Sequence, residues 1–230
     1  MLTAPQRSYS YLVRVSEFVP KAQLLIRSIR RNRKQTKTSR ICIIHIVIYT
    51  LGCTMNFYFL GHTEQGVSTT ARIAARAALA LGMKAQLYLP QSVRSGDERK
   101  AYLRLAKPKE ALEEKGPISS PDFVVVFDVD MIKPQLKDLK DRSVLIVKSQ
   151  ERFANPILKK KKIRVFSVDA TGIVLASTAR PFPAAPMAGA LSKAFPKLSL
   201  KAIKSAIEAE FYSHVVENQA AAEEGYKTAR

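Results

Sequence analysis

The sequence predicts an α/β protein, an open and mostly parallel sheet with helices on both faces. Three observations predict it. Asp122–Asp128 (DFVVVFD), Ser143–Lys148 (SVLIVK) and Ile163–Val168 (IRVFSV) are continuous β-branched and aromatic runs, the composition of strands buried on both faces. Segments of helical composition alternate with strands, as crossover connections require. And the apolar run Asn56–Leu60 (NFYFL) passes through Gly61-His62-Thr63-Glu64-Gln65-Gly66 into an alanine-rich stretch, the strand, glycine loop and helix with which nucleotide folds begin.

Asn56–Leu60 reads as a short buried strand. Val67–Met83 reads as a helix: it carries six alanines among Ile73, Leu79 and Leu81, with Gly82 near its end, and small side chains let a helix lie close to a sheet. Lys84–Leu89 is a second strand, stopped by Pro90. Gln91–Glu98 is a polar loop. Lys100–Leu105 (KAYLRL) alternates polar with apolar, which predicts a half-buried strand. Lys107–Gly116 is a charged turn or short helix. After the three apolar strands, with Leu136–Leu139 a short link between the first two, come helices over Ala170–Ala179 and Ala184–Phe195. Ser199 then caps Leu200–Phe211, where Leu200, Ile203, Ile207 and Phe211 share a face. Ser213–Ala229 is a polar terminal helix. The four-lysine run Lys159–Lys162 reads as a solvated loop before a strand.

The net charge of +19 is unevenly spread. Residues 1–54 hold ten Lys/Arg and one acid, against 28 and 18 in residues 55–230. The basic tract Arg27–Arg40 is followed by twenty uncharged, mostly apolar residues, Ile41–Leu60, a pattern that resembles a signal anchor. His45, Thr50, Thr54 and Asn56 interrupt it, and Met55 stands immediately before the first strand. We therefore expect a domain over 55–230 preceded by an extension over 1–54 that is an upstream stretch not made, a real basic arm or an anchor, in that order. Cys42 and Cys53 are the only cysteines. Two do not make a disulfide framework or zinc site, nor an iron–sulfur site, which needs about four thiolates. The expected compartment is the cytoplasm.

Ligands of open α/β sheets sit at the carboxyl ends of strands, and backbone N–H groups at a helix start can hold an anion there. Gly61 and Gly66 permit close approach or positive φ. The loop is neither G-x-G-x-x-G, since Thr63 takes the middle place, nor a Walker loop, since no G-K-S/T follows. Glu64 puts a negative charge where a phosphate wants none, so the residues favour a structural turn over an anion site. Asp128, Asp130 and Asp169 stand at strand ends, where acids often reach a site but more commonly just end the strand. His62 and His214 have no metal-ligand spacing, and neither G-x-S-x-G nor H-E-x-x-H occurs.

The order of motifs resembles the gamma subunit of pyruvate and other 2-oxoacid:ferredoxin oxidoreductases. That family opens with a strand and a G-x-G-G-Q-G loop; Gly61–Gly66 takes its place and keeps the outer glycines and Gln65. Arg94-Ser95-Gly96 matches an R-G-G loop. Pro121-Asp122-Phe123-Val124-Val125 matches its PD-x-V-V strand, and Val168-Asp169-Ala170-Thr171 its VDAT. Ala179-Arg180-Pro181 through Met187-Ala188-Gly189-Ala190 matches G-R-P-x-x-N-x-x-M-L-G-A. Glu217-Asn218 and Gly225-Tyr226 close the series. Thr63, Glu64, Ser95 and Ala184 depart from it. The resemblance covers Met55–Tyr226 and implies a Rossmann-like gamma domain. It also implies a subunit of an enzyme that decarboxylates pyruvate or a related 2-oxoacid to acyl-CoA and passes electrons to ferredoxin. Thiamine diphosphate and iron–sulfur clusters would lie in partner chains (alpha, beta and a ferredoxin-like delta), with CoA as substrate of the complex. Gly61, Gln65, Gly66 and Arg94 would contact CoA, with no catalytic or metal residue in this chain. Neither nucleic acid nor membrane is expected as a partner. The competing readings are a stand-alone nucleotide-binding α/β protein and a basic nucleic-acid-binding module.

Overall fold

In β1 (Met55–His62), Phe57, Phe59 and Leu60 are fully buried and Tyr58 nearly so. A strand with no exposed face in its middle must lie inside a sheet that is covered on both sides. The computed structural model describes residues 54–230 apart from 92, 93, 95, 113–115 and 178–181. It places β1 third in a six-stranded sheet of order β2-β3-β1-β4-β5-β6. The others are β2 (Lys84–Tyr88), β3 (Glu98–Ala106), β4 (Phe123–Val126), β5 (Val144–Lys148) and β6 (Arg164–Val168). Strands β1, β4, β5 and β6 are mutually parallel, in registers such as Phe59 with Val125 and Val125 with Ile146. Strand β3 runs antiparallel to both its neighbours. The sheet is thus mixed but mostly parallel, as the apolar runs predicted.

Seven helices occur among the described residues: α1 (Val67–Ala80), α2 (Val129–Ile132), α3 (Pro156–Lys160), α4 (Ala170–Ala176), α5 (Ala184–Ala194), α6 (Leu200–Glu210) and α7 (Val215–Thr228). On one face Phe57 and Phe123 stack with ring centroids 4.7 Å apart, and Phe195 meets both edge-on, beneath α1 and α5. On the other, Tyr58, Leu60, Val124, Val126, Leu145 and Val147 pack under Ile132, Leu136, Leu139 and Leu158, from short elements only. There Tyr58 stacks on Tyr102 at 5.1 Å, and burial pushes both phenol pKa values up.

Several boundaries differ from expectation for physical reasons. The first helix ends at Ala80 because Gly82 adopts φ +75° and Met83 N–H folds back to the Ala78 carbonyl, a glycine-terminated helix end. KAYLRL was expected to be half-buried, but Ala101–Ala106 are all buried. Its alternation misleads because Arg104, only 4% exposed, spends its charge on the carbonyls of Gly116 and Pro117 at 2.8 and 3.1 Å. The short helix α2 was not foreseen; Asp128 caps it by accepting from Asp130 N–H. The run Lys159–Lys162 is only partly loop. Lys159 and Lys160 finish α3, which Asn155 caps and Pro156 opens, and Lys161 donates to the Lys137 and Leu139 carbonyls.

Helices α5 and α7 cross with backbones in contact. A Cβ on Gly189 would collide with the Ala222 carbonyl, and one on Gly225 with the Pro186 carbonyl. Pro186 is tolerated because it lies in the first turn of α5, where its missing N–H has no intrahelical partner. The fully buried Asn218 ties the pair further: its Oδ1 accepts from Phe182 N–H and its Nδ2 donates to the His214 carbonyl. At the far end α6 is joined to α1 by Arg72 and Arg76, which both reach Glu210, and to α7 by Lys204–Glu223 at 2.7 Å.

The tract Arg27–Arg40 and the run Ile41–Leu60 up to residue 53 lie outside the described residues, so the expected extension over 1–54 rests on sequence. No helix among the described residues is long and apolar enough to cross a membrane.

Candidate ligand loop

Parallel strands deliver their carboxyl ends to one edge, and β1, β4, β5 and β6 share it. The loop 61–66 leaves β1 there, between β3 and β4, where successive connections diverge and open α/β sheets hold ligands. Gly61 is required by packing: a Cβ would lie 2.7 Å from Phe127 Cβ and 2.8 Å from both Gln65 Oε1 and Val67 Cγ2. Gln65 turns its side chain inward and accepts from His62 N–H at 2.9 Å. Gly66 adopts φ +94° as the N-cap of α1, and a Cβ there would press on Ala184 at 3.0 Å. Thr70 secures the same junction, its hydroxyl reaching the Gly66 and Ala184 carbonyls. Three of the four candidate residues therefore shape the turn.

The fourth, Arg94, is brought beside the loop by its backbone. Thr63 Oγ1 donates to the Arg94 carbonyl at 3.3 Å and accepts from Gly96 N–H at 2.6 Å, while Thr63 N–H donates to the Asp97 carbonyl at 2.9 Å. Arg94 N–H donates to Asp97 Oδ2, and the Arg94 side chain is exposed. Ser95 itself lies outside the described residues. His62 spans the same cleft, its Nδ1 3.0 Å from the Gly96 carbonyl and its Nε2 3.4 Å from Asp128 Oδ2. Next along, Arg99 Nε donates to Ser68 Oγ on the first turn of α1 at 2.8 Å.

This geometry limits what the loop can do. The N–H groups of His62 and Thr63 are taken by Gln65 and Asp97, and that of Gln65 leans on the His62 carbonyl at 3.4 Å. A phosphate cradle needs such groups pointing at the ligand. Exposed Glu64 sits at φ +73°, a left-handed conformation natural to glycine. Three of the loop's N–H groups are thus already engaged, and the cationic groups stand on its rim.

The remaining sequence candidates have structural roles. Asp169 caps α4 through Gly172 N–H at 2.8 Å, and Gly172 leaves the space its carboxylate fills. Asp122 accepts from Asn56 N–H and pairs with Lys140. Asp130 pairs with Lys133 at the surface. His214 is exposed and 4.0 Å from Glu217. Arg180 and Pro181 lie outside the described residues. Sequence reasoning missed the double role of Thr63 and the His62–Asp128 pair; no local pattern signals either, because the partners are 31 to 66 residues away.

The sheet order and the loop at the carboxyl end of β1 define an open α/β domain whose candidate edge is an internally bonded turn with a cationic rim. A family model described as pyruvate ferredoxin/flavodoxin oxidoreductase matches residues 56–228. The chain belongs to that family. It is 35% identical over 176 residues to the pyruvate/ketoisovalerate oxidoreductases common subunit gamma of Thermococcus kodakarensis, spanning 73% of this chain and 93% of the relative. It is 29% identical over 168 residues to pyruvate synthase subunit PorC of Methanothermobacter thermautotrophicus, spanning 71% and 89%. Among solved structures it superimposes on pyruvate oxidoreductase subunit PORC of Thermotoga maritima with a TM-score of 0.65 at 27% identity, covering 77% of this chain and 97% of that one. The 2-oxoglutarate:ferredoxin oxidoreductase of Magnetococcus marinus shares the fold at 14% identity, with a TM-score of 0.64 over 76% of this chain and 31% of its own.

Proposed function

We propose that this chain is the gamma-type subunit of a 2-oxoacid:ferredoxin oxidoreductase. The complex converts pyruvate or a related 2-oxoacid and CoA to acyl-CoA, passing electrons to ferredoxin. The observation that carries this reading is the family match over residues 56–228, which takes in all six described strands, short only of Met55 at the start of β1, and the whole of α5 and α7. The chain works only in the assembly, with alpha, beta and ferredoxin-like delta chains in the cytoplasm. Two cysteines in the whole sequence cannot hold an iron–sulfur cluster, and no thiamine diphosphate motif of the G-D-G…N kind is present, so both cofactors belong to partner chains. They supply the carbanion and electron chemistry. This chain contributes surfaces, and at its ligand edge the contact to the anionic end of CoA. In that contact Gly61, Gln65 and Gly66 set the shape of the turn and Arg94 supplies the charge from the rim. The taken N–H groups of the loop speak against a stand-alone nucleotide-binding protein.

The test is to isolate the native chain from its own cells and identify by mass spectrometry what remains with it. Stoichiometric thiamine- and cluster-binding chains are expected, in a fraction that reduces ferredoxin given 2-oxoacid and CoA. A chain that emerges alone would sink the subunit reading.

A further inference from the structure

Helices α4 and α7 leave an open groove of about 730 Å3 between them. Ile173 and Ala176 of α4 line one wall, Val216 and Ala220 of α7 the other, and most of the exposed lining is apolar. Of the large aliphatic side chains described, the two most exposed, Leu175 at 78% and Val216 at 74%, stand on these same two helices. Exposed apolar surface rimmed by polar groups marks an interaction site. The rim here carries charge of one sign. Asp169 heads α4, and Glu217 and Glu224 stand on the groove side of α7. No lysine or arginine lines the groove, in a domain where residues 55–230 hold 28 Lys/Arg against 18 acids. Lys227, in the same turn of α7 as Glu224, is held by Glu223 at 2.9 Å, and His214 Nδ1 stays 4.0 Å from Glu217.

We propose that this groove takes an amphipathic helix of a partner protein, apolar along one stripe and basic along its flank. The apolar stripe enters between α4 and α7 over Ile173, Ala176 and Ala220, where the alanines let a third helix come within about 8–10 Å of both axes. Glu217 and Glu224 are two turns apart, about 10.5 Å along the axis. Lysines or arginines seven residues apart on the flank next to α7 therefore meet both. Helix-in-groove recognition reads apolar anchors at i, i+3 or i+4, and i+7. The lined length of α7, from Val216 to Thr228, offers about 18 Å, enough for three turns. The walls are helices and present no strand edge, so backbone pairing plays no part. Three carboxylates repel a nucleic-acid backbone, and no group of three His, Cys, Asp or Glu that could hold a metal ion occurs among the described residues. The groove shares no lining residue with loop 61–66, so the outcome is independent of the oxoacid and of the ligand edge.

The experiment uses the full chain and a fluorescent peptide of about fifteen residues, long enough to be helical when bound, followed by anisotropy. The peptide carries leucines at alternating three- and four-residue spacing and lysines seven residues apart on one flank. Saturable binding is expected, weakening with added salt, with hydrogen exchange slowing across α4. Ala220→Arg, at an exposed position, puts bulk and positive charge into the groove and should abolish binding. Glu217→Lys and Glu224→Lys should each weaken it about tenfold, attraction lost and repulsion gained. Glu208→Lys, the same change of net charge at an exposed position of α6 outside the groove, should leave it unaltered. A peptide of the same composition with its leucine spacing scrambled should not bind. Equal binding of the scrambled peptide, protection outside α4 and α7, indifference to the two charge reversals, self-association of the chain that Ala220→Arg abolishes, or no binding at all would each overturn the proposal.

Discussion

The ligand loop and the α5–α7 crossing both belong to motifs rich in glycine, and they have diverged differently. At the crossing, Gly189 and Gly225 are retained where a Cβ would strike the backbone of the facing helix. In the loop, Gly61 and Gly66, whose neighbours would also collide, are retained, while Thr63 and Glu64 occupy the two places between. Those places face the solvent side, where a side chain fits: Thr63 makes two hydrogen bonds and Glu64 is exposed. The difference teaches that a Cβ has no room at the crossing or at the ends of the loop, while the two places between Gly61 and Gly66 accept side chains.

The largest effect that tests this contrast is at the crossing. Gly225→Ala, and likewise Gly189→Ala, must push the helices apart, at a cost of about 3 kcal/mol, seen as a large fall in thermal midpoint and loss of the chain from its complex. An unchanged midpoint would show that the crossing is not held by its glycines. Thr63→Val removes the hydroxyl latch on the Arg94–Gly96 turn and should cost about 1 kcal/mol, with Thr63→Ser restoring it. In the assembled enzyme the same variant should raise KM for CoA more than it lowers kcat. Glu64→Gly relieves a left-handed glutamate and should stabilise the chain by about 0.5–1 kcal/mol; destabilisation would mean that the Glu64 side chain matters more than its backbone. The smallest effect concerns the polar rim of the helix pair. Hydrogen bonds from Lys204 and then Lys227 hold the Glu223 carboxyl at about 2, below its ordinary value of 4.5. A lowered folded-state value stabilises above the unfolded value and is lost as pH falls toward about 2. Wild type and Glu223→Gln should therefore differ slightly in midpoint at neutral pH and converge in strong acid, and a constant gap would refute the assignment.

Much of the scaffold was legible in the sequence. DFVVVFD and SVLIVK read correctly as doubly buried strands because their burial is uniform, and a uniform run has no face to misassign; IRVFSV is a strand as read, but it lies at the sheet edge, where Arg164, Val165 and Phe166 are only half-buried. KAYLRL was misread because a buried arginine satisfied by two carbonyls looks like an exposed one. The reversed direction of β3 is set by pairing with β1, a partner about 40 residues away in the chain, which no local pattern reports. At the loop the structure places Gly61, Gln65, Gly66 and the Arg94 backbone in one neighbourhood, where the residues had suggested a turn in preference to a cradle. The sequence could not show that Gln65 and Asp97 occupy the loop's N–H groups, because hydrogen-bond partners are a property of the folded neighbourhood.

The position of β3 has a consequence for synthesis on the ribosome. Strand β3 (Glu98–Ala106) lies between β1 and β2, yet it is made after both. A nascent chain that has released residues 55–89 holds the apolar β1, the half-exposed β2 and a helix, with an empty slot between the strands, and their inner edges stay unpaired until Ala106 emerges. Pauses in that interval leave two bare strand edges available to neighbouring chains. The folding yield of this subunit should therefore depend more on translation speed between residues 90 and 106 than on speed anywhere later in the chain.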